Sequence, residues 1–136
     1  MSYQLRPFNP DTDFPRQVEI AHAFDPLKWT VEVAQEFYPK KPAGLIERDM
    51  VAVDDEGYIV ATGSVSCPPW MVPEKRFRID IAVDPAFHHR GIGTVFYDDL
   101  YAFAAQRGLL RLDASCNEDL PDSIAFAQKR GFVIDR

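Results

Sequence analysis

Ile81-Ala82-Val83-Asp84-Pro85-Ala86-Phe87-His88-His89-Arg90-Gly91-Ile92-Gly93-Thr94 passes from a β-branched run through a proline-marked turn and a basic segment into Gly-Ile-Gly, then an amphipathic stretch. Strand, glycine-punctuated loop and helix start are the parts of an anion site. The first N–H groups of a helix lack intrahelical acceptors, and the helix dipole there favours negative charge. Glycines at 91 and 93 let main chain approach a phosphate with no Cβ in the way. The spacing is neither Gly-x-Gly-x-x-Gly nor Gly-x-x-x-x-Gly-Lys-Ser/Thr, so it is not that of two familiar phosphate loops. On spacing alone, a plain structural strand–helix connection accounts for the two glycines equally well.

The flanking sequence alternates strands and helices. Residues 3–8 read as a short strand halted before Asn9-Pro10. Asp13 is placed to cap a helix with the inner stripe Phe14, Val18, Ala21 and Phe24. Thr30 is placed to cap a second, carrying Val33 and Phe37 and stopped by Pro39. Residues 46–53 and 58–66 are β-rich runs joined as a hairpin across Asp54-Asp55-Glu56-Gly57. Pro68, Pro69 and Pro73 make 67–73 a loop. Residues 77–83 form the next strand, alternating Phe77, Ile79, Ile81 and Val83 against Arg78, Asp80 and Ala82. Phe96, Leu100, Phe103 and Ala104 line one face of a helix that Gly108 stops. Residues 109–114 read as a strand, Asp122 as the cap of a helix ended by Gly131, and 132–134 as the start of another strand. The strand–helix–strand units call for parallel neighbours, which gives an α/β domain with a mixed sheet and helices on both faces.

Composition narrows the function. At 136 residues, one domain spanning 1–136 with a single core is expected. Hydrophobic content of 46% and charged content of 26% are ordinary for a globular chain. No apolar run approaches the ~20 residues of a membrane span, and no secretion signal is visible. Cys67 and Cys116 lie far apart without metal spacing, and reduced thiols in a cytoplasmic protein are the expected reading. A net charge of −6 argues against nucleic acid as the main partner, so an anionic ligand must be held by local donors.

Val83, Pro85, Arg90, Gly91, Ile92 and Gly93, leaving a strand and entering a helix, resemble the acetyl-CoA pyrophosphate loop of GNAT-type N-acetyltransferases. His88 stands where that family usually has Arg or Gln, which keeps a donor but weakens the charge at neutral pH. Ser123-Ile124-Ala125-Phe126-Ala127-Gln128-Lys129-Arg130-Gly131-Phe132 resembles the family's closing Ala-Ile-x-Phe-Tyr-x-x-x-Gly-Phe. The element order agrees over nearly the whole chain. The resemblance implies a GNAT-like mixed, mostly antiparallel sheet with a parallel strand pair at the cofactor cleft. It implies acetyl-CoA or another acyl-CoA as co-substrate, without a metal. The pyrophosphate would rest on amides of His88, His89, Arg90, Gly91, Ile92, Gly93 and Thr94, and the pantetheine beside Ile81, Ala82 and Val83. Asn117 is a further candidate for the pantetheine amides. The implied reaction is transfer of the acetyl group to a primary amine of a small molecule or peptide, by direct attack in a ternary complex.

Three departures from the family pattern bear on chemistry. Ala127 stands where the family usually has a Tyr that protonates the leaving thiolate. Phe77 stands six residues before Val83, where many members carry a Glu base. The chain stops at Arg136, short of the usual final strands, and an open sheet edge calls for a partner subunit (a homodimer) or the second domain of a tandem family member, or else marks a shortened family variant. The catalytic acid and base are therefore unassigned, and a catalytically degenerate domain, acyl-CoA-binding or purely structural, is the competing expectation.

Other residues carry paired readings. Asp80 is either a replacement base or a surface partner of Arg78 or Arg111, and Ser115 either holds a water or ends a strand. Arg90 meets a phosphate or a surface acid. Thr94 donates to the same anion or caps its own turn. His88 and His89 are adjacent and cannot both face one metal on a regular element. Trp70 and Met71 cover the core edge or line an acceptor pocket. Lys40 and Lys41 suggest a solvated turn, and Cys116 an inert thiol.

Overall fold

The computed structural model describes residues 3–23, 30–87 and 90–114. Strands β1 (Gln4–Pro7), β2 (Ile46–Val53), β3 (Ile59–Cys67), β4 (Arg76–Val83) and β5 (Arg111–Ala114) form one sheet in that spatial order. The first three pairings are antiparallel and the β4–β5 pairing is parallel. Helices α1 (Phe14–Ala21) and α2 (Val31–Phe37) connect β1 to β2, and α3 (Ile92–Ala105) connects β4 to β5. A single crossover helix returns the chain parallel, as α3 does. Two helices in succession reverse it again, so the parallel neighbours expected of each strand–helix–strand unit occur only around α3 among the described elements. The segments predicted at 122–131 and 132–134, and the sheet edge past β5, lie outside the described residues.

Side-chain alternation along the strands builds a core on each face. Met50 and Ala52 join Val65, Phe77 and Ile79 beneath α3, which buries Ile92, Phe96, Leu100 and Ala104. Val51 and Val53 join Phe8, Phe14, Ile20 and Ile59 on the opposite face, under α1 and α2. The β2–β3 register shifts between Ala52 and Val53, because Val53 pairs with Ile59 while Ala52 pairs with Ala61. The extra residue is Val60, a bulge whose carbonyl accepts the Asp84 N–H at 2.9 Å. That bond ties the end of β4 to β3, where the loop toward α3 departs.

Several local expectations are corrected. Asp13 does not cap α1 with its side chain: Pro15 removes one first-turn N–H, and the carboxylate instead accepts Arg6 at 2.7 and 3.0 Å and the Asn9 N–H at 2.7 Å. Ile20, not Ala21, completes the buried set with Phe14 and Val18, and Phe24 lies outside the described residues. Thr30 does cap α2, accepting the Val33 N–H at 3.2 Å. Starting at Val31, the helix turns Val31, Ala34 and the following Tyr38 inward, while Val33 is exposed. The proline-rich loop is a 3₁₀ segment, Pro69–Glu74, in which Met71 packs on the core and Trp70 is exposed. Lys41 is not merely solvated: its ammonium lies 2.5 Å from Glu47 and 4.1 Å from the Tyr38 ring centroid. Gly108, at φ 82°, turns the chain after α3 and lets the Leu109 N–H reach back to the Ala104 carbonyl at 3.2 Å.

Candidate functional site

Three structural pieces meet at the C-terminal end of β4. The first is the strand end, where Ile81, Ala82 and Val83 pair with Gly63, Thr62 and Ala61 of β3. Ile81 and Val83 lean on the α3 core, and Ala82 leans on the α1 side. The described β4–β5 pairing runs from Arg76–Arg111 to Ile79–Ala114, so Ile81, Ala82 and Val83 lie past its described extent.

The second piece is the turn. Asp84 Oδ1 accepts the Ala86 N–H at 2.9 Å, and its carbonyl accepts the Phe87 N–H at 2.8 Å. This side-chain-capped turn shapes the 3₁₀ segment Pro85–Phe87. The remaining oxygen, Oδ2, is paired with Arg16 of α1. Arg16 also donates from Nε to the Ile59 carbonyl at 2.8 Å and lies 4.4 Å from the Tyr58 ring centroid. Burial works against its charge, yet Asp84, Tyr58 and Glu19 together hold it above the ordinary arginine value.

The third piece is the start of α3. Gly91 is its N-cap at φ 78°, ψ 5°, a left-handed conformation that suits glycine. A Cβ built there meets no heavy atom within 4 Å, so the space beside this residue is open. The Val95 N–H bonds the Gly91 carbonyl at 3.2 Å, and the amides of Ile92 and Gly93 belong to the first turn ahead of that bond. Glycine supplies no capping oxygen, and no acidic residue occupies the first turn. Ile92 buries its side chain, whereas Gly91 and Thr94 are exposed. Gly93, read as part of the loop, belongs to the helix, and only Gly91 of the pair takes a positive φ. Arg90 is exposed, its guanidinium 3.4 Å from the Tyr3 hydroxyl and 5.2 Å from the Phe87 ring centroid. Neither contact neutralises its charge.

The structure therefore brings together Ile81, Ala82, Val83, Arg90, Gly91, Ile92, Gly93 and Thr94. His88, His89, Asn117, Ser115, Cys116 and the closing signature with Ala127 lie outside the described residues. Phe77 is 1% exposed within the core under α3, where no substrate reaches it. Asp80 projects from the other face and pairs with Arg78 at 3.1 Å, while Arg111 takes Asp113 at 3.1 Å. Cys67 is buried, which pushes its thiol pKa up and leaves it inert. Among the described residues, no three His, Cys, Asp or Glu side chains group to hold a metal, and no helix is long and apolar enough to cross a membrane. Sequence reasoning missed Arg16, Tyr58 and Tyr3 as neighbours of this site. The Asp-Pro pair at 84–85 signals a capped turn, but nothing local in the sequence announces its cation on α1.

Comparisons with known proteins agree with this fold. The model of the acetyltransferase (GNAT) family matches residues 14–132. No curated protein matches the chain. An N-acetyltransferase from Staphylococcus aureus Mu50 superposes with a TM-score of 0.79 at 18% identity, covering 97% of this chain and 84% of that one. The phosphinothricin acetyltransferase of Sinorhizobium meliloti, solved with AcCoA, gives 0.78 at 20% identity, covering 100% and 77%. The PaiA N-acetyltransferase of Thermoplasma acidophilum, solved with coenzyme A, gives 0.74 at 12%, covering 99% and 92%. At these identities the likeness is one of fold.

Proposed function

Because the chain belongs to the acetyltransferase (GNAT) family, we propose that it moves an acetyl group from acetyl-CoA, or a related acyl group, to a primary amine of a small molecule or peptide. The observation that carries this reading is the start of α3: a left-handed Gly91 cap with open space beside it, no capping side chain and no first-turn carboxylate. A diphosphate fits that helix start, since its charge complements the helix dipole and its oxygens accept from the amides. The complexes of the Sinorhizobium and Thermoplasma proteins with AcCoA and coenzyme A support the same choice of ligand.

In this reading the amides from His88 to Thr94 hold the diphosphate and Arg90 adds a point of charge. The main chain of Ile81, Ala82 and Val83 orients the pantetheine, with Asn117 assisting. Bound acetyl-CoA supplies the thioester; the amine nitrogen bonds to the carbonyl carbon, the C–S bond breaks, the sulfur leaves as CoA thiolate, and the proton lost from nitrogen passes to solvent or to that thiolate. The chain contributes chiefly by holding both reactants together and by aiming a β4 N–H at the carbonyl oxygen. No covalent enzyme intermediate is required. A second reading, acyl-CoA binding without turnover, draws on the burial of Phe77, which leaves no base at that position.

Calorimetric titration with acetyl-CoA, followed by thiol release over a panel of amines, tests the proposal. Saturable binding with amine-dependent thiol release is expected. Binding without release selects the second reading, and absence of binding overturns both.

A further inference from the structure

We propose that Arg16 and Asp84 are positioning residues that pre-form the turn feeding α3, an inference that rests on the acyl-CoA reading above. Asp84 commits its main chain and both carboxylate oxygens. Its N–H goes to Val60, its carbonyl receives Phe87, Oδ1 receives Ala86, and Oδ2 meets Arg16. Arg16 comes from 68 residues earlier in the chain. It is itself pinned, with Nε on the Ile59 carbonyl at 2.8 Å and the guanidinium over Tyr58. The Tyr58 ring stands 6.4 Å from that of Phe87, the last residue of the turn, and Phe87 in turn lies under Arg90. Arg90 reaches Tyr3 at the start of the described chain. Thus α1, the β2–β3 hairpin and the N-terminal segment all brace one turn.

Two consequences follow for an anion at α3. A braced turn presents its donors with less ordering cost on binding. Arg16 also offsets the charge of a carboxylate beside a site that must receive negative charge, and without that cation Asp84 would repel a diphosphate more strongly. These effects make the variants unequal. Arg16→Met takes the Arg16 cation away from a charged Asp84, whereas Asp84→Asn keeps an oxygen for the Ala86 N–H and removes the carboxylate charge. Removing both charges restores part of the affinity lost in Arg16→Met. A role confined to the packing of the Arg16 stem, which Met retains, gives neither the loss nor the recovery.

The test is calorimetry with acetyl-CoA on the full chain, with amide hydrogen exchange on the ligand-free protein. Arg16→Met is expected to weaken binding about tenfold, the Arg16→Met/Asp84→Asn pair to regain part of that loss, and Arg16→Lys to fall between Arg16→Met and wild type. Exchange at Ala86 and Phe87 should quicken in Arg16→Met. Wild-type affinity and wild-type exchange in a folded Arg16→Met would overturn the inference. If Arg16→Met does not fold, Asp84→Asn is judged on the same two readouts, and unchanged values there also overturn it. Failure of the wild-type protein to bind acetyl-CoA would instead strike the acyl-donor reading, while the exchange data still decide whether the turn is braced.

Discussion

Gly63 of β3 lies so close to Phe96 of α3 that a Cβ at residue 63 would stand 2.6 Å from the ring's Cε1 and 2.7 Å from Cδ1. The absent side chain lets the helix sit down on the sheet, and this docking aims its N-terminus at the end of β4. Phe96 is fully buried between Ile92 and Leu100, so the ring has little room to yield. Gly63→Ala is expected to cost about 1–3 kcal/mol by overpacking. Urea unfolding should show a lower midpoint at unchanged slope. An unmoved midpoint would mean that α3 packs differently.

Phe77 is a core residue, so restoring the family's acid at this position should not create a base. Phe77→Glu places a carboxylate under α3 with no partner in that apolar cluster, and the expected result is unfolding, not faster transfer. Phe77→Ala should cost about 3–5 kcal/mol through the cavity it leaves. Circular dichroism and thermal melts of both variants check this. A folded, faster Phe77→Glu enzyme would refute the placement.

Asp49 makes stability depend on pH in the direction opposite to most carboxylates. Burial pushes its pKa up to about 6, against the pull of Lys41 at 3.9 Å and with added push from Glu47 and Asp13. The folded state thus holds this proton more tightly than the unfolded chain, whose carboxyl titrates at ~3.9. The group's contribution is fully present below about pH 4 and is lost as pH rises to about 6. Asp49→Asn should therefore gain stability relative to the wild type across that interval and no further above it. Urea unfolding at pH 4, 5, 6 and 7 reads the difference, and a flat difference would contradict the assignment.

Much of this was legible in the chain because period and punctuation are local signals. The alternation Phe77, Ile79, Ile81 and Val83 marks β4, and Pro85 and Gly91 bracket the connection to α3. Long-range partners leave no such mark. Nothing near Arg16 in the chain signals that folding brings it to Asp84, and Lys41 reads as a turn cation until it meets Glu47 and Tyr38. Where the inward faces of α1 and α2 differ from the sequence pattern, at Ile20 and at Val31 and Ala34, the reason is related. Their stripes depend on where each helix begins, and a shift of one or two residues rotates the face, as Val31 and Val33 show.

The diphosphate site at α3 is tested by one comparison: calorimetric titration of acetyl-CoA into wild type, Gly91→Ala and Gly91→Glu. Both substitutions carry the strain of a side chain at φ 78°, about 1–2 kcal/mol. Only Glu adds bulk and negative charge at the mouth of the helix. The prediction is that Gly91→Glu, still folded, weakens binding by roughly a hundredfold or more, ~2.7 kcal/mol, while Gly91→Ala stays within about tenfold of wild type. A folded Gly91→Glu that binds acetyl-CoA as tightly as wild type would place the ligand elsewhere.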